Sequence, residues 1–171
     1  MKTGGSMFDE KFMRRALELS KQALTTPGTR PFGAVVALDG RIVGEGLNHS
    51  LAHFDPTSHG EIEAIRNACR NLKRVELIGA DLYTSCEPCS LCVAAMYIVG
   101  IKSLYYAASL SQAKTLLDGL SSEARHNFDS DELRRETGKV VTNRSMQAFQ
   151  RMDTEAVALI KEWVAARTPA S

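Results

Sequence analysis

Two short segments thirty residues apart carry metal-ligating side chains, and a fold that uses them must bring them together. The first is His59-Gly60-Glu61 and the second is Pro88-Cys89-Ser90-Leu91-Cys92. Residues i and i+3 at the start of a helix project from one face, so Cys89 and Cys92 can present both sulfurs to one ion. The partial positive charge of a helix N-terminus favours the thiolate form. His59 opens a different helical stretch and can add a neutral imidazole if the two helix N-termini converge. Strands followed by helices bring such ends together at the carboxyl edge of a sheet, where α/β proteins form ligand sites.

The rest of the pattern fits that demand. Phe12, Ala16, Leu19 and Ala23 recur at helical spacing and predict a helix from about Asp9 to Leu24, ended by TTPGTRP. GAVVAL (33–38) and RIVGEG (41–46) flank Asp39-Gly40, a dipeptide that favours a tight hairpin turn. Thr57 or Ser58 is positioned to cap a second helix whose inner face is Ile62, Ile65, Ala68 or Cys69, and Leu72. DLYTS (81–85) reads as a strand, Pro88 suits the start of a third helix through Val99, and KSLYYAA (102–108) is a further strand. Helical stretches follow near 111–118, 130–136 and 153–167. The order α-β-β-α-β-α-β-α implies a three-layer α/β/α sandwich around a mixed sheet, with an antiparallel hairpin and then parallel crossovers.

At 171 residues the chain suits one domain, 1–171, in which 109–171 forms a helical extension able to act as a lid or a dimer contact. The net charge of +1 is not the basic footprint of a protein that mainly grips phosphate backbones, so nucleic acid is disfavoured as the main partner. The opening residues lack the apolar stretch of a signal peptide, and the longest apolar run, 91–99, is too short to span a bilayer. These features place the chain in the cytoplasm and off the membrane. There, Cys86, Cys89 and Cys92 within seven residues point to metal or redox chemistry rather than disulfides.

Two thiolates and one imidazole leave a tetrahedral zinc one open position, the mark of a catalytic site. Water there has its pKa lowered toward ~7. Glu61, two residues from His59 in the same first turn, is placed to take that water's proton and pass it to a substrate nitrogen. A structural reading competes: Cys86 with Cys89, Cys92 and His59 would close a Cys₃His site and make the chain a non-catalytic zinc module. That reading has no use for Glu61. Cys69 falls on the apolar side of its helix and reads as core.

The pair H-x-E and P-C-x-x-C is a signature of zinc nucleobase deaminases. PFGAVV (31–36), EGLNHS (45–50), DPTSHGEIEAIR (55–66) and LYTSCEPCSLC (82–92) resemble the guanine deaminase and tRNA-adenosine deaminase branch of the cytidine deaminase superfamily, over residues 8 to about 108. The resemblance implies a cytidine deaminase-like sandwich around a mixed five-stranded sheet and a homodimer. It implies Zn2+ held by His59, Cys89 and Cys92, with Glu61 as proton shuttle. Asn48 takes the place of an amide that reads a base, Phe32 that of an aromatic beside it, and the Gly60 N–H that of a donor to the substrate. The first two have a bland alternative: turn chemistry for Asn48 and core packing for Phe32.

Gly60 stands where relatives of that branch carry Ala, which implies more room above the zinc. A single Asp118 stands where guanine deaminases place a second acidic pair; a solvated helix end is its alternative. The implied reaction is hydrolytic deamination of a small heterocyclic base, guanine first. Cytosine or an aminotriazine such as ammeline is the nearest alternative, and a tRNA adenosine the next. His49 or His53, with Phe54, would help enclose the pocket. Met96, Ile98 and Val99 offer dimer surface, and the last helix, with Trp163 and Val164, could reach a partner's site.

Overall fold

A computed structural model describes residues 7–120 and 129–167. The chain divides into two compact units, Met1–Ser130 and Asp131–Ser171. In the first, α1 (Glu10–Gln22) is followed by β1 (Arg30–Leu38), β2 (Arg41–Asn48), α2 (Gly60–Leu72), β3 (Asp81–Cys86), α3 (Ser90–Val99), β4 (Ser103–Ala108) and α4 (Leu110–Leu117). Asp9 caps α1 through its side chain. The hairpin turn between β1 and β2 puts Asp39 and Gly40 at φ 51° and 73°, the left-handed pair that suits strand twist.

The strands lie in the order β2-β1-β3-β4. β1 runs antiparallel to both β2 and β3, and β3 runs parallel to β4. Hence β2, β3 and β4 share one direction, and α2 and α3 are the crossovers between them. Alternate residues of the strands serve opposite faces. Val35, Ala37 and Tyr83 pack with Phe12, Met13 and Leu19 of α1. Ala34, Val36 and Leu82 pack with Ile62, Ile65 and Ala68 of α2 and Met96 and Val99 of α3. A bidentate pair, Arg15 Nε and Nη2 donating to the two Glu45 oxygens at 2.7 and 2.9 Å, ties α1 to β2.

Two expectations are corrected. The sheet has four strands among the described residues, not five. Every element described after β4 is helical or a 3-10 turn, and stretches such as SDELRRET offer charge and helix formers rather than the apolar alternation of a strand. The helix α2 also starts without the expected Thr57 or Ser58 cap. His59 occupies the N-cap position and its side chain makes no cap bond. The Thr57 hydroxyl and backbone N–H both donate to Asp55 instead.

The second unit contains α5 (Ser130–Thr137, opening at the boundary), a 3-10 turn (Val141–Asn143) and α6 (Asp153–Ala165). Neither helix buries a residue. Ser145 N–H donates to Glu136 at 2.7 Å, and the Arg167 guanidinium lies 4.1 Å from the Trp163 ring centroid. Residues 121–128, part of the expected extension, lie outside the described residues. No helix among the described residues is long and apolar enough to cross a membrane.

Candidate active site

Because β2, β3 and β4 run the same way, their carboxyl ends meet at one edge of the sheet, beside the start of antiparallel β1. The helices α2 and α3 begin there, with His59 and Cys89 at their N-cap positions. These positions normally hold Ser, Thr, Asp or Asn. Here the two side chains forgo capping and turn toward each other. The first turn of α2 is wedged between strands: a Cβ on Gly46 would sit 2.1 Å from the Gly60 carbonyl oxygen, and a Cβ on Gly60 would sit 2.3 Å from that of Phe32. Both are closer than side-chain carbons come, so glycine at both places fixes where His59 and Glu61 stand. The missing Gly60 side chain faces the β1 backbone rather than the ligand space, which corrects the expectation of extra room above the metal.

The donor atoms test the metal directly. His59 Nδ1 lies 3.6 Å from Cys89 Sγ and 3.5 Å from Cys92 Sγ, and the sulfurs are 3.8 Å apart. A tetrahedron with ordinary zinc bond lengths requires about 3.5–3.6 Å between nitrogen and sulfur and about 3.8 Å between sulfurs. The three residues therefore fit zinc, and they form the described group whose ligand atoms lie within 4.8 Å of one another. Cys86 is outside it. It is buried at the end of β3, and burial pushes its thiol up to about 11. The closed Cys₃His alternative loses its fourth ligand.

The electrostatics favour one thiolate even without metal. The hydrogen-bonded contact with Cys92, and then that with His59, overcomes burial and lowers Cys89 to about 4. Cys92 is raised, by its contact with Cys89 first and by burial second. Burial opposes charge on His59, but the hydrogen bond and field of Cys89 outweigh it and raise the imidazole. Glu61 is 5% exposed, and burial raises its carboxyl against the pull of its own backbone N–H and His59.

These groups border a cavity of about 480 Å³, within the range of small-ligand sites. Asn48, Phe32, Glu61, His59 and Cys89 line it, and so does Asp118 at the C-cap of α4. Asn48 Oδ1 accepts from the Ser50 N–H and hydroxyl at 3.1 and 2.8 Å, so its amide nitrogen is the side-chain donor left to a ligand. Gly60 is the first residue of α2, where a backbone N–H has no acceptor within the helix.

His49, His53 and Phe54 are not among the lining residues, contrary to expectation. The two imidazoles stack 4.8 Å apart, His49 Nδ1 is 2.8 Å from the Leu47 carbonyl oxygen, and Phe54 is 95% exposed. Leu110, Ala113 and Leu117 of α4 supply apolar lining. Ser109 and Gln112 form a capping box there, a signal legible in the sequence. Arg30, also in the lining, was missed.

An open-sided His-Cys-Cys centre with a buried glutamate defines a zinc-dependent aminohydrolase of the deaminase type, and the comparisons agree. The cytidine and deoxycytidylate deaminase zinc-binding region matches residues 6–108, and the chain belongs to that family. It is 35% identical to a guanine deaminase of Bacillus subtilis over 92% of this chain and 94% of that one. A crystal structure of Bacillus subtilis guanine deaminase superposes with a TM-score of 0.77 over 93% of this chain and 95% of the other. A tRNA-specific adenosine deaminase of Haemophilus influenzae is 46% identical, but over 61% of this chain and 60% of its own length.

Proposed function

We propose that the chain hydrolyses the exocyclic amine of a small heterocyclic base, with guanine as substrate, and releases ammonia. The observation that carries the reaction type is the tetrahedral spacing of three donor atoms beside the buried Glu61, on one wall of a cavity sized for a base. Guanine is favoured because the likeness to the Bacillus enzyme runs nearly the full length of both chains, through the region beyond residue 108.

Zinc, when held by His59, Cys89 and Cys92, supplies the Lewis acidity that makes water acidic near neutral pH. Glu61 takes a proton from the attacking water at its carboxylate as the water oxygen bonds to the carbon bearing the amine. It gives that proton to the adjacent ring nitrogen. A second transfer through Glu61 protonates the amine, the carbon–nitrogen bond breaks, and ammonia leaves the ring with a carbonyl in its place. Burial lifts the Glu61 carboxyl toward neutrality, which suits a group that must both take and give. Asn48 and the Gly60 N–H hold the ring's polar edge, Phe32 flanks its face, and Asp118 borders the exit side. Cys89 and Cys92 must stay reduced, which fits the cytoplasm.

The chain works as one catalytic domain with 109–171 as its extension, in a homodimer. Met96 and Val99 belong to its own core, so the α3 surface for a second copy is Tyr97 and Ile98, 84% and 80% exposed. The apolar residues of α6, Leu159, Ile160 and Trp163 among them, offer a second contact.

A tRNA reading draws on the higher local identity of the Haemophilus relative. It needs a basic rim, and Arg66 of α2, a candidate for one, is engaged by Glu63 at 2.8 Å and Asp55 at 3.5 Å. Ammonia release measured on guanine, cytosine, ammeline and a tRNA anticodon stem separates the readings. Turnover is expected on guanine; turnover on the RNA alone overturns the small-molecule assignment.

A further inference from the structure

Arg30 is a cavity residue that neither the metal ligands nor the proton shuttle accounts for. It opens β1 and pairs with Asn48 across the β1–β2 ladder, so a guanidinium and an amide share one rim of the site. Its Nε and Nη2 are buried with no hydrogen-bond partner among the described residues. Four carboxylates line the same cavity, Glu61, Glu87, Asp118 and Asp129, and none of them accepts from Nε or Nη2; Glu87 accepts from Leu110 N–H at 2.9 Å instead, and Glu61 from its own backbone N–H. Arg does not shed its charge in a protein, and a buried guanidinium without acceptors is costly. The chain thus keeps two guanidinium donors beside the ligand space that nothing described in the protein satisfies.

We propose that Arg30 is a specificity-determining residue that reads an adjacent pair of acceptors on the substrate, an exocyclic oxygen beside a ring nitrogen. A guanidinium matches such a pair bidentately, as it matches O6 and N7 of guanine. The inference rests on the deaminase reading above and narrows it to oxopurines. Rings with an amino group in place of the oxygen present a donor to a donor and are rejected. Asn48 contributes its own amide N–H₂ to the same edge, so the rim as a whole offers donors only.

The test compares kcat/KM for guanine, 7-deazaguanine (no ring acceptor at that edge) and 2-aminopurine (no oxygen) in the wild type, Arg30→Met and Arg30→Lys, all with zinc content measured. In the wild type, guanine is expected to be preferred over both analogues. In Arg30→Met, kcat/KM for guanine is expected to fall about 10- to 100-fold, while turnover of the two analogues changes little and the preference collapses. Arg30→Lys keeps the charge but not the fork, and is expected to restore little of the preference. Wild-type turnover of guanine with an unchanged guanine-to-7-deazaguanine ratio in both variants overturns the role of Arg30. Equal losses on all three substrates, with a lowered melting temperature, also overturn it and make Arg30 structural. Absence of wild-type turnover on any purine overturns the substrate reading itself and is distinguishable from both.

Discussion

In the first unit Ala16, Val35, Val36, Leu77 and Leu82 are fully buried, whereas α5 holds only a few partly buried residues and every residue of α6 is exposed. The first unit is held by two cores on opposite faces of one sheet, and its active site is a by-product of that packing. Close strand–helix approach at Gly46 and Gly60 sets the helix N-termini, and those set the donor atoms. The second unit has helices of 8 and 13 residues with exposed Leu159, Ile160 and Trp163. Helices of such length are marginal alone in water, so theirs is a surface that asks for cover. The contrast teaches where each kind of residue sits: in the first unit the same packed residues serve stability and chemistry together, whereas in the second the apolar side chains lie at the surface.

Removing a metal ligand should have the largest effect. Cys92→Ala is expected to abolish stoichiometric zinc and all ammonia release. Full zinc occupancy by elemental analysis would show that Cys92 is not a ligand. Next, truncation at Leu82 should cost about 2–5 kcal/mol, as large-to-small changes in packed cores do. Ile160→Ala should change the stability of the first unit by no more than about 0.5 kcal/mol. Chemical denaturation measures both, and equal costs would break the contrast between the units. Gly60→Ala should destabilise by about 1–3 kcal/mol, because its Cβ meets a backbone oxygen that cannot swing aside. An unchanged melting temperature would show that β1 and α2 are not clamped there.

Much of the site was legible because its chemistry is local. His59 with Glu61, and Cys89 with Cys92, are set by one turn of helix each, so spacing alone placed the side chains. Residues that depend on register were not legible. Arg30 lies between Thr29 and Pro31 and reads as a loop charge; only its pairing with Asn48 carries it to the cavity. The wall expected from His49, His53 and Phe54 failed for a similar reason. The loop bonds of residues 49–58 turn those side chains elsewhere, and nothing in their spacing reveals it. The four strands found follow the four runs read from the sequence. The fifth strand came from resemblance alone, and the elements described after β4 are helical and supply none.

A small effect, visible in its pH dependence, is expected of the Arg15–Glu45 pair. The Arg15 guanidinium holds the Glu45 carboxyl below its ordinary value, against partial burial. A carboxyl depressed in the folded state adds stability above its unfolded pKa, and that stability is lost as pH falls through the folded value. Both side chains are 35% exposed, so screening keeps the contribution under about 1 kcal/mol. Glu45→Gln should therefore lower stability slightly at pH 7 and flatten its decline below about pH 4.5. An identical acid profile in the variant would remove the pair from the account.

The most direct test of the catalytic account is a paired measurement on Glu61→Gln: zinc per chain and kcat for ammonia release from guanine. Glutamine keeps the size of the side chain and removes the proton carrier. One zinc per chain with kcat lowered by about 10²- to 10⁴-fold is the predicted result. Full zinc with undiminished kcat would contradict the assignment of Glu61 as the group that moves the protons.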